Sequence, residues 1–393
     1  MSTYPITTYY IPVTSPITSD THTIVAQQYG DGLNYRLLIS NGGPGADYQY
    51  LVPPFEKLIP YGFTLYFYNQ LGVLPSSAPE VYNPPGDPSG IPYPDYSMNY
   101  YGFELEQVRN YFTIQGPKNY ILGHSFGGMI MFQWAQDYPA SVSLFSNSGL
   151  IFSSGVVSVP RYITYTNQIL ASFPPSVQAI LANPSNPLYQ QTANQYYNNV
   201  YLIRIVPNPP AWNTTISTLN FELYDYIQGP SEFIIDGTFS NFNLFSVLPT
   251  INVPALVIAG VWDTVDPAMQ KESADLMPKG QFYLTNGSHN SEWDDPCNYF
   301  NALLTFVIGP PIPSPLLTLF GFKSNEELKT QGNKKMSGQV QRVKAQSNLI
   351  GTMQGGQWNR RKLRQVNQCY QRFGLILTQE TDLCGFKTCL KKY

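Results

Sequence analysis

Charge is what this sequence has least of. Lys, Arg, Asp and Glu make up 12% of its 393 residues, about half the share of an ordinary soluble domain. Histidine is rarer, with three in the chain, and cysteine occurs four times. No His/Cys group has zinc-ligand spacing, and four cysteines make no disulfide framework in a chain this long, so no metal centre is expected. Long hydrophobic runs are also missing. The most apolar stretch, Leu303 to Phe322, is interrupted by Pro310, Pro311, Pro313 and Pro315, which a membrane helix would not tolerate. Met1 to Tyr10 lacks the charged start and apolar core of a signal peptide. The expectation is a soluble, cytoplasmic protein.

Aromatic side chains are plentiful: 22 Phe, 30 Tyr and 5 Trp in a chain that is 43% apolar. They demand burial or a ligand, so the low charge does not signal disorder. The net charge of −3 averages two unlike parts. From Lys323 onward there are 14 Lys/Arg against 4 Asp/Glu, and before it 8 against 21. An acidic body therefore carries a short basic tail. The tail's Arg360-Arg361-Lys362-Leu363-Arg364 run has the charge to meet nucleic acid or an anionic membrane, but no nucleic-acid-binding motif accompanies it. Neither partner is expected, and the tail is assigned no function.

Short apolar runs alternate with longer helical segments. Arg36–Ser40, Phe63–Tyr68, Asn119–Leu122, Ser143–Ser146, Ala255–Ala259 and Gln281–Thr285 read as strands. Most run straight into Gly, Asn or Ser, as buried parallel strands do. Tyr101–Phe112 and Gly127–Tyr138 carry helical apolar spacing, and Pro139 closes the second. The alternation predicts an α/β protein with a mostly parallel sheet covered on both faces. Residues 1–150 and 247–309 form the expected core. Residues 151–246, rich in Pro, Asn and Tyr, read as an inserted helical cap, and 310–393 as a Pro-rich linker and tail.

Gly123-His124-Ser125-Phe126-Gly127-Gly128 matches G-x-S-x-G between a strand and a helix, the context of a nucleophile elbow. A β-carbon at Gly123 or Gly127 would collide with strand and helix, and the helix N-terminus favours negative charge beside Ser125. The bland reading is a Gly-rich turn. A serine nucleophile needs a histidine base. His124 lies within the elbow and is read as structural, and His22 precedes the first core strand. His289, just past the strand Gln281–Thr285, remains. An orienting carboxylate follows the strand Ala255–Ala259 at Asp263, with Asp266 as its rival and a turn or helix cap as the bland alternative. Ser125, Asp263, His289 is the chain order of α/β hydrolases. Gly43, in Asn41-Gly42-Gly43-Pro44-Gly45, and Phe126 are the expected amide donors of an oxyanion hole.

Together these motifs resemble the proline iminopeptidase family of the α/β-hydrolase fold, over roughly Gly32 to Ile308. The family's H-G-G-P-G is similar to Asn41–Gly45, with Asn for His. Its D-Q-x-G-x-G-x-S is similar to Asn69–Ser76, with the Asp and second Gly absent, and its G-P-N-E-F to Gly229-Pro230-Ser231-Glu232-Phe233. The resemblance implies release of an N-terminal residue, proline or another small apolar one, from short peptides or amino-acid amides. It implies no cofactor, and Glu232 as a ligand for the substrate's ammonium group. A second cap acid common in the family has no counterpart in Pro187–Ile205, though Glu222 or Asp225 are substitutes to consider. Tyr189, Tyr196, Tyr197, Tyr201, Trp212 and Phe221 line a pocket or simply pack. An esterase or amidase without need of a free amine, and a catalytically silent binding protein, are the alternatives.

Overall fold

The computed structural model describes residues 4–81 and 93–310. The basic tail, with the Pro310–Pro315 linker beyond its first residue, lies outside them. Eight strands form one sheet: β1 (Ile6–Thr14), β2 (Thr21–Tyr29), β3 (Tyr35–Ser40), β4 (Phe63–Tyr68), β5 (Asn119–His124), β6 (Gly149–Ser153), β7 (Ala255–Trp262) and β8 (Gly280–Ser288). Their order is β1-β2-β4-β3-β5-β6-β7-β8. β1 and β2 are antiparallel, as are β2 and β4, and every other neighbouring pair is parallel. All six residues of β4 and all five of β6 are buried, as expected where helices cover both faces.

Ser143–Ser146 is not a strand. Pro139 starts a short helix through Ser143, Leu144 is 42% exposed, and only Phe145 faces the core. The strand is the next apolar run, Gly149–Ser153. It crosses residue 151, so the first core segment extends beyond the expected boundary. The β1–β2 hairpin was not foreseen: β1 exposes most of its first half, and its Thr- and Tyr-rich sequence carries a weak apolar signal.

The principal helices are α1 (Met98–Tyr111), α2 (Phe126–Asp137), α3 (Val159–Ala171), α4 (Pro175–Leu181), α5 (Tyr189–Ala193), α6 (Pro210–Ser217), α7 (Phe221–Ile227), α8 (Pro267–Leu276) and α9 (Pro296–Ile308). α3 to α7 lie in the insertion between β6 and β7. A nine-residue π-helical segment, Asn194–Leu202, follows α5. The chain steps from β3 to β4 on one side and to β5 on the other, which makes the C-terminal ends of β3 and β5 a topological switch point. Ser125 and the loop Asn41–Gly45 both lie there.

Polar bonds seat the insertion on the core. Thr215 and Thr218 hydroxyls donate to Asp47 at 2.5 and 2.9 Å. The Asn220 amide donates to Gly45 O and its side chain to Gly72 O. On the other side, the amides of His289 and Asn290 donate to the carbonyls of Tyr201 and Leu202 at 2.9 and 3.1 Å.

Glu104, on α1, is fully buried. One carboxyl oxygen accepts the Leu71 amide at 2.9 Å, and the other has no partner. Burial outweighs that bond and pushes its pKa up to about 8. Below the ordinary glutamate value both folded and unfolded chains hold the proton. Between that value and about 8 only the folded chain does, so stability falls as pH rises, by at most about 1.4 kcal/mol per pH unit. Glu104→Gln should remove this slope. Denaturation curves near pH 5, 7 and 9 should show wild type weakening against the variant, and parallel pH dependences would refute it.

Candidate active site

β5 ends at His124, and Ser125 occupies the turn into α2 with φ 54° and ψ −116°. A non-glycine residue at positive φ is strained, and the surroundings hold it there. The Ser125 amide donates to Ser153 O at 2.9 Å, while its carbonyl accepts from Gly128 N–H at 2.9 Å. The flanking glycines are required by contact. A β-carbon on Gly127 would stand 2.1 Å from Ser40 O, and one on Gly123 2.5 Å from Gly127 O. The hydroxyl-bearing carbon is thereby held at the carboxyl end of the sheet beside a helix N-terminus.

His289 follows β8, and Asp263 follows β7. The His289 Nδ1 lies 2.7 Å from Asp263 Oδ1 and 3.0 Å from the Thr264 hydroxyl. Asp263 is fully buried. Its carboxylate also accepts from the Val265 amide at 3.0 Å, the Ser154 hydroxyl at 2.7 Å and the Gln270 side chain at 3.0 Å. Burial alone would raise its pKa, but the charge and hydrogen bond of His289, helped by Ser154 and Val265, hold it below the usual carboxylate range. Asp266 instead accepts the Ala268 amide and caps α8, so it is not the partner of His289. With Nδ1 directed to Asp263, Nε2 is the nitrogen left for a reacting proton. Ser125 and His289 line one pocket.

Gly42 and Gly43 line the same pocket, as does Phe126. Gly43 has φ 139°. At position 41, where the family pattern has His, the buried Asn41 side chain donates to Ala46 O at 2.7 Å and Gly42 O at 3.0 Å, closing the loop on itself, while its Oδ1 has no partner. Asn69 likewise ties its own loop, donating to Leu74 O and accepting from Tyr48 N–H.

Glu232 also lines the pocket and, among the described residues, is the one acidic residue that does. Its Oε1 accepts from the Tyr224 hydroxyl at 2.5 Å and Gln228 at 3.1 Å, and its Oε2 from the Tyr162 hydroxyl at 2.5 Å. Both tyrosines titrate well above the ordinary value, through burial first and then the charge of Glu232, so they remain donors. Glu222 and Asp225 are exposed and outside the pocket and do not replace the second acid. Of the six cap aromatics considered, only Trp212 lines the pocket, and Tyr197 is packed in the core. Tyr162, Tyr224 and Gln228 were missed. Tyr224 and Gln228, four residues apart on α7 and its C-terminal extension, share a helix face with a readable spacing. Tyr162 sits 70 residues from Glu232, and nothing local announces it. Among the described residues no group of three or more His, Cys, Asp or Glu could hold a metal ion, and no helix is long and apolar enough to cross a membrane.

A sheet of this order, with a nucleophile-elbow turn after β5 and a His–Asp pair after β8 and β7, defines an α/β hydrolase. The model of the alpha/beta hydrolase fold family matches residues 35–296, and the chain belongs to that family. It is similar to the proline iminopeptidase of Flavobacterium johnsoniae, 28% identical over 306 residues that cover 76% of this chain and 97% of the relative. The proline iminopeptidase of Chitinophaga pinensis is 29% identical over 308 residues, with the same coverage. The crystal structure of proline iminopeptidase from Mycobacterium smegmatis shares the fold, with a TM-score of 0.64 at 21% identity over 77% of this chain and 98% of its own. The chain is thus a hydrolase resembling prolyl aminopeptidases.

The contact at Gly127 yields a test. Gly127→Ala should cost about 3 kcal/mol or prevent folding, whereas Gly155→Ala, whose β-carbon would come no closer than 3.3 Å to any neighbour, should cost far less. Equal shifts in melting temperature for the two variants would contradict the close approach as the constraint.

Proposed function

We propose that the protein is a serine aminopeptidase releasing proline or another small apolar N-terminal residue from short peptides or amino-acid amides. The observation that carries this reading is one pocket lined by Ser125, His289 and Glu232 together. Glu232 accepts hydrogen bonds only from neutral donors among the described residues. A carboxylate offers about four acceptor sites, and three are used. The remaining one, on a carboxylate with no Lys or Arg bonded to it among the described residues, suits a substrate ammonium group as a charge-assisted donor.

In this reading Ser125 Oγ attacks the substrate carbonyl carbon while His289 Nε2 takes the hydroxyl proton. Asp263 keeps the imidazole in the Nδ1–H tautomer and stabilises the imidazolium that forms. The amides of Gly43 and Phe126 donate to the oxyanion. His289 returns the proton to the departing amine, which leaves an ester on Ser125. Water, deprotonated by the same nitrogen, then attacks that ester and frees the amino acid.

The esterase or amidase alternative draws on the pocket having no second acid among the described residues. Prolyl and alanyl nitroanilides, free and N-acetylated, separate the readings. An aminopeptidase should turn over the free forms and lose nearly all activity on the blocked ones. Equal turnover of both would leave a general amidase. Ser125→Ala should abolish turnover and fluorophosphonate labelling, and labelling that persists would remove Ser125 from its role. Glu232→Gln should raise KM for free-amine substrates about 10- to 100-fold while changing kcat much less. An unchanged KM would dismiss Glu232 as the amine ligand.

A further inference from the structure

A chain of three hydrogen bonds, through two side chains that line the pocket beside Ser125, joins the oxyanion loop to the histidine loop. The Gly42 amide donates to Tyr50 Oη at 2.8 Å. Tyr50 Oη lies 2.7 Å from His124 Nδ1. His124 Nε2 lies 3.1 Å from the carbonyl oxygen of His289. With His124 kept neutral by burial, the two ends set the direction of every bond. A backbone carbonyl can only accept, so His124 Nε2 carries the proton. A backbone amide can only donate, so Tyr50 Oη accepts it and spends its own proton on His124 Nδ1, which is bare.

The members are fixed in other ways too. Tyr50 and His124 are 3% and 2% exposed. The Trp293 indole donates to Tyr50 O at 2.8 Å, and Trp212 packs edge-on against the Tyr50 ring at 5.7 Å. The His289 carbonyl takes a second bond from the Ser154 hydroxyl at 3.0 Å, and that hydroxyl also reaches Asp263. Burial and then the neighbouring His289 press His124 down to about 3, in keeping with one neutral tautomer. Because both ends are backbone groups, the chain has no terminal acid or base to pass a proton to.

We propose that Tyr50 and His124 are positioning residues of the hydrolytic site, holding the oxyanion loop at Gly42–Gly43 and the His289 backbone in register with Ser125. The inference rests on the proposed serine mechanism. Tyr50→Phe removes the hydroxyl that serves both neighbours and leaves the Gly42 amide and His124 Nδ1 unpaired. An error of about 1 Å in a catalytic group costs on the order of 100-fold in rate.

Steady-state kinetics on the free aminoacyl nitroanilides, per active site titrated with fluorophosphonate, test the proposal. Tyr50→Phe and His124→Leu should each lower kcat about 10- to 100-fold with KM within about twofold of wild type. His124→Gln, whose amide nitrogen can still donate to the His289 carbonyl, should recover a large part of the loss. The double variant Tyr50→Phe/His124→Leu should cost no more than the worse single one, since each cuts the same chain. Values of kcat near wild type, a His124→Gln no better than His124→Leu, or fully additive losses would overturn the assignment, as would losses confined to KM. Wild-type protein with neither turnover nor labelling at Ser125 would instead refute the serine mechanism itself, and the positioning role would fall with it.

Discussion

The close approach of α2 to β3 governs this site. Gly127 packs its α-carbon against the backbone of Ser40 and Asn41 so tightly that a single methyl group would overlap Ser40 O. The turn at Ser125 and the Asn41–Gly45 loop therefore share one contact, and neither can shift without the other. The cost is a serine held at positive φ, which the sheet offsets by accepting its amide at Ser153 O. Local strain of this kind is stable only where surrounding bonds leave no alternative. Here those bonds come from β6 and from the first turn of α2.

The proposed base is secured from a different direction. His289 stands where β8 leaves the sheet, and its side chain is held by Asp263 from the end of β7. Its backbone amide, however, bonds to Tyr201 in the insertion, and its carbonyl to His124 and Ser154 in the core. The histidine is thus gripped by both parts of the chain. The π-helical stretch that supplies Tyr201 and Leu202 is a rare geometry associated with functional positions. The insertion also contributes Tyr162, Tyr224, Gln228 and Glu232 to the pocket, so it touches both His289 and the pocket wall.

Much of this was legible because the relevant signals are local. G-x-S-x-G between a strand and a helix, a glycine-rich loop after β3, and an Asp and a His just past two later strands are short patterns tied to strand ends. The structure puts Ser125, Asp263 and His289 at those ends. The failures share a physical origin. Ser143–Ser146 and Gly149–Ser153 are both short apolar runs, and periodicity over four or five residues cannot tell a turn after a helix from a buried strand. The aromatics Tyr189 to Tyr201 were weighed as pocket lining, yet it is Tyr162 and Tyr224 that aim their hydroxyls at Glu232. The partners of the positioning chain, Tyr50 and His124, are 74 residues apart. Contacts of that range exist only once the sheet has assembled, and no local pattern encodes them.

Glutamates in this protein meet low solvent exposure in contrasting ways, and the contrast bears on function. Glu106 is bonded to Arg109 at 2.6 Å, a charge cancelled within the fold. Glu104 has one amide donor and Glu292 has no side-chain partner for either oxygen, and burial pushes both upward, Glu292 far above the usual range. Those two meet burial by holding a proton. Glu232 is bonded differently. It is only half-buried, it collects three neutral donors, and no Lys or Arg among the described residues pairs with it. Two tyrosines and a glutamine orient the carboxylate without spending its charge, whereas an arginine in their place would have neutralised it. A side chain arranged only for stability would gain from the arginine. One arranged to receive a cation from outside would not, and its place in the wall of the pocket that holds Ser125 and His289 is where such a cation would arrive.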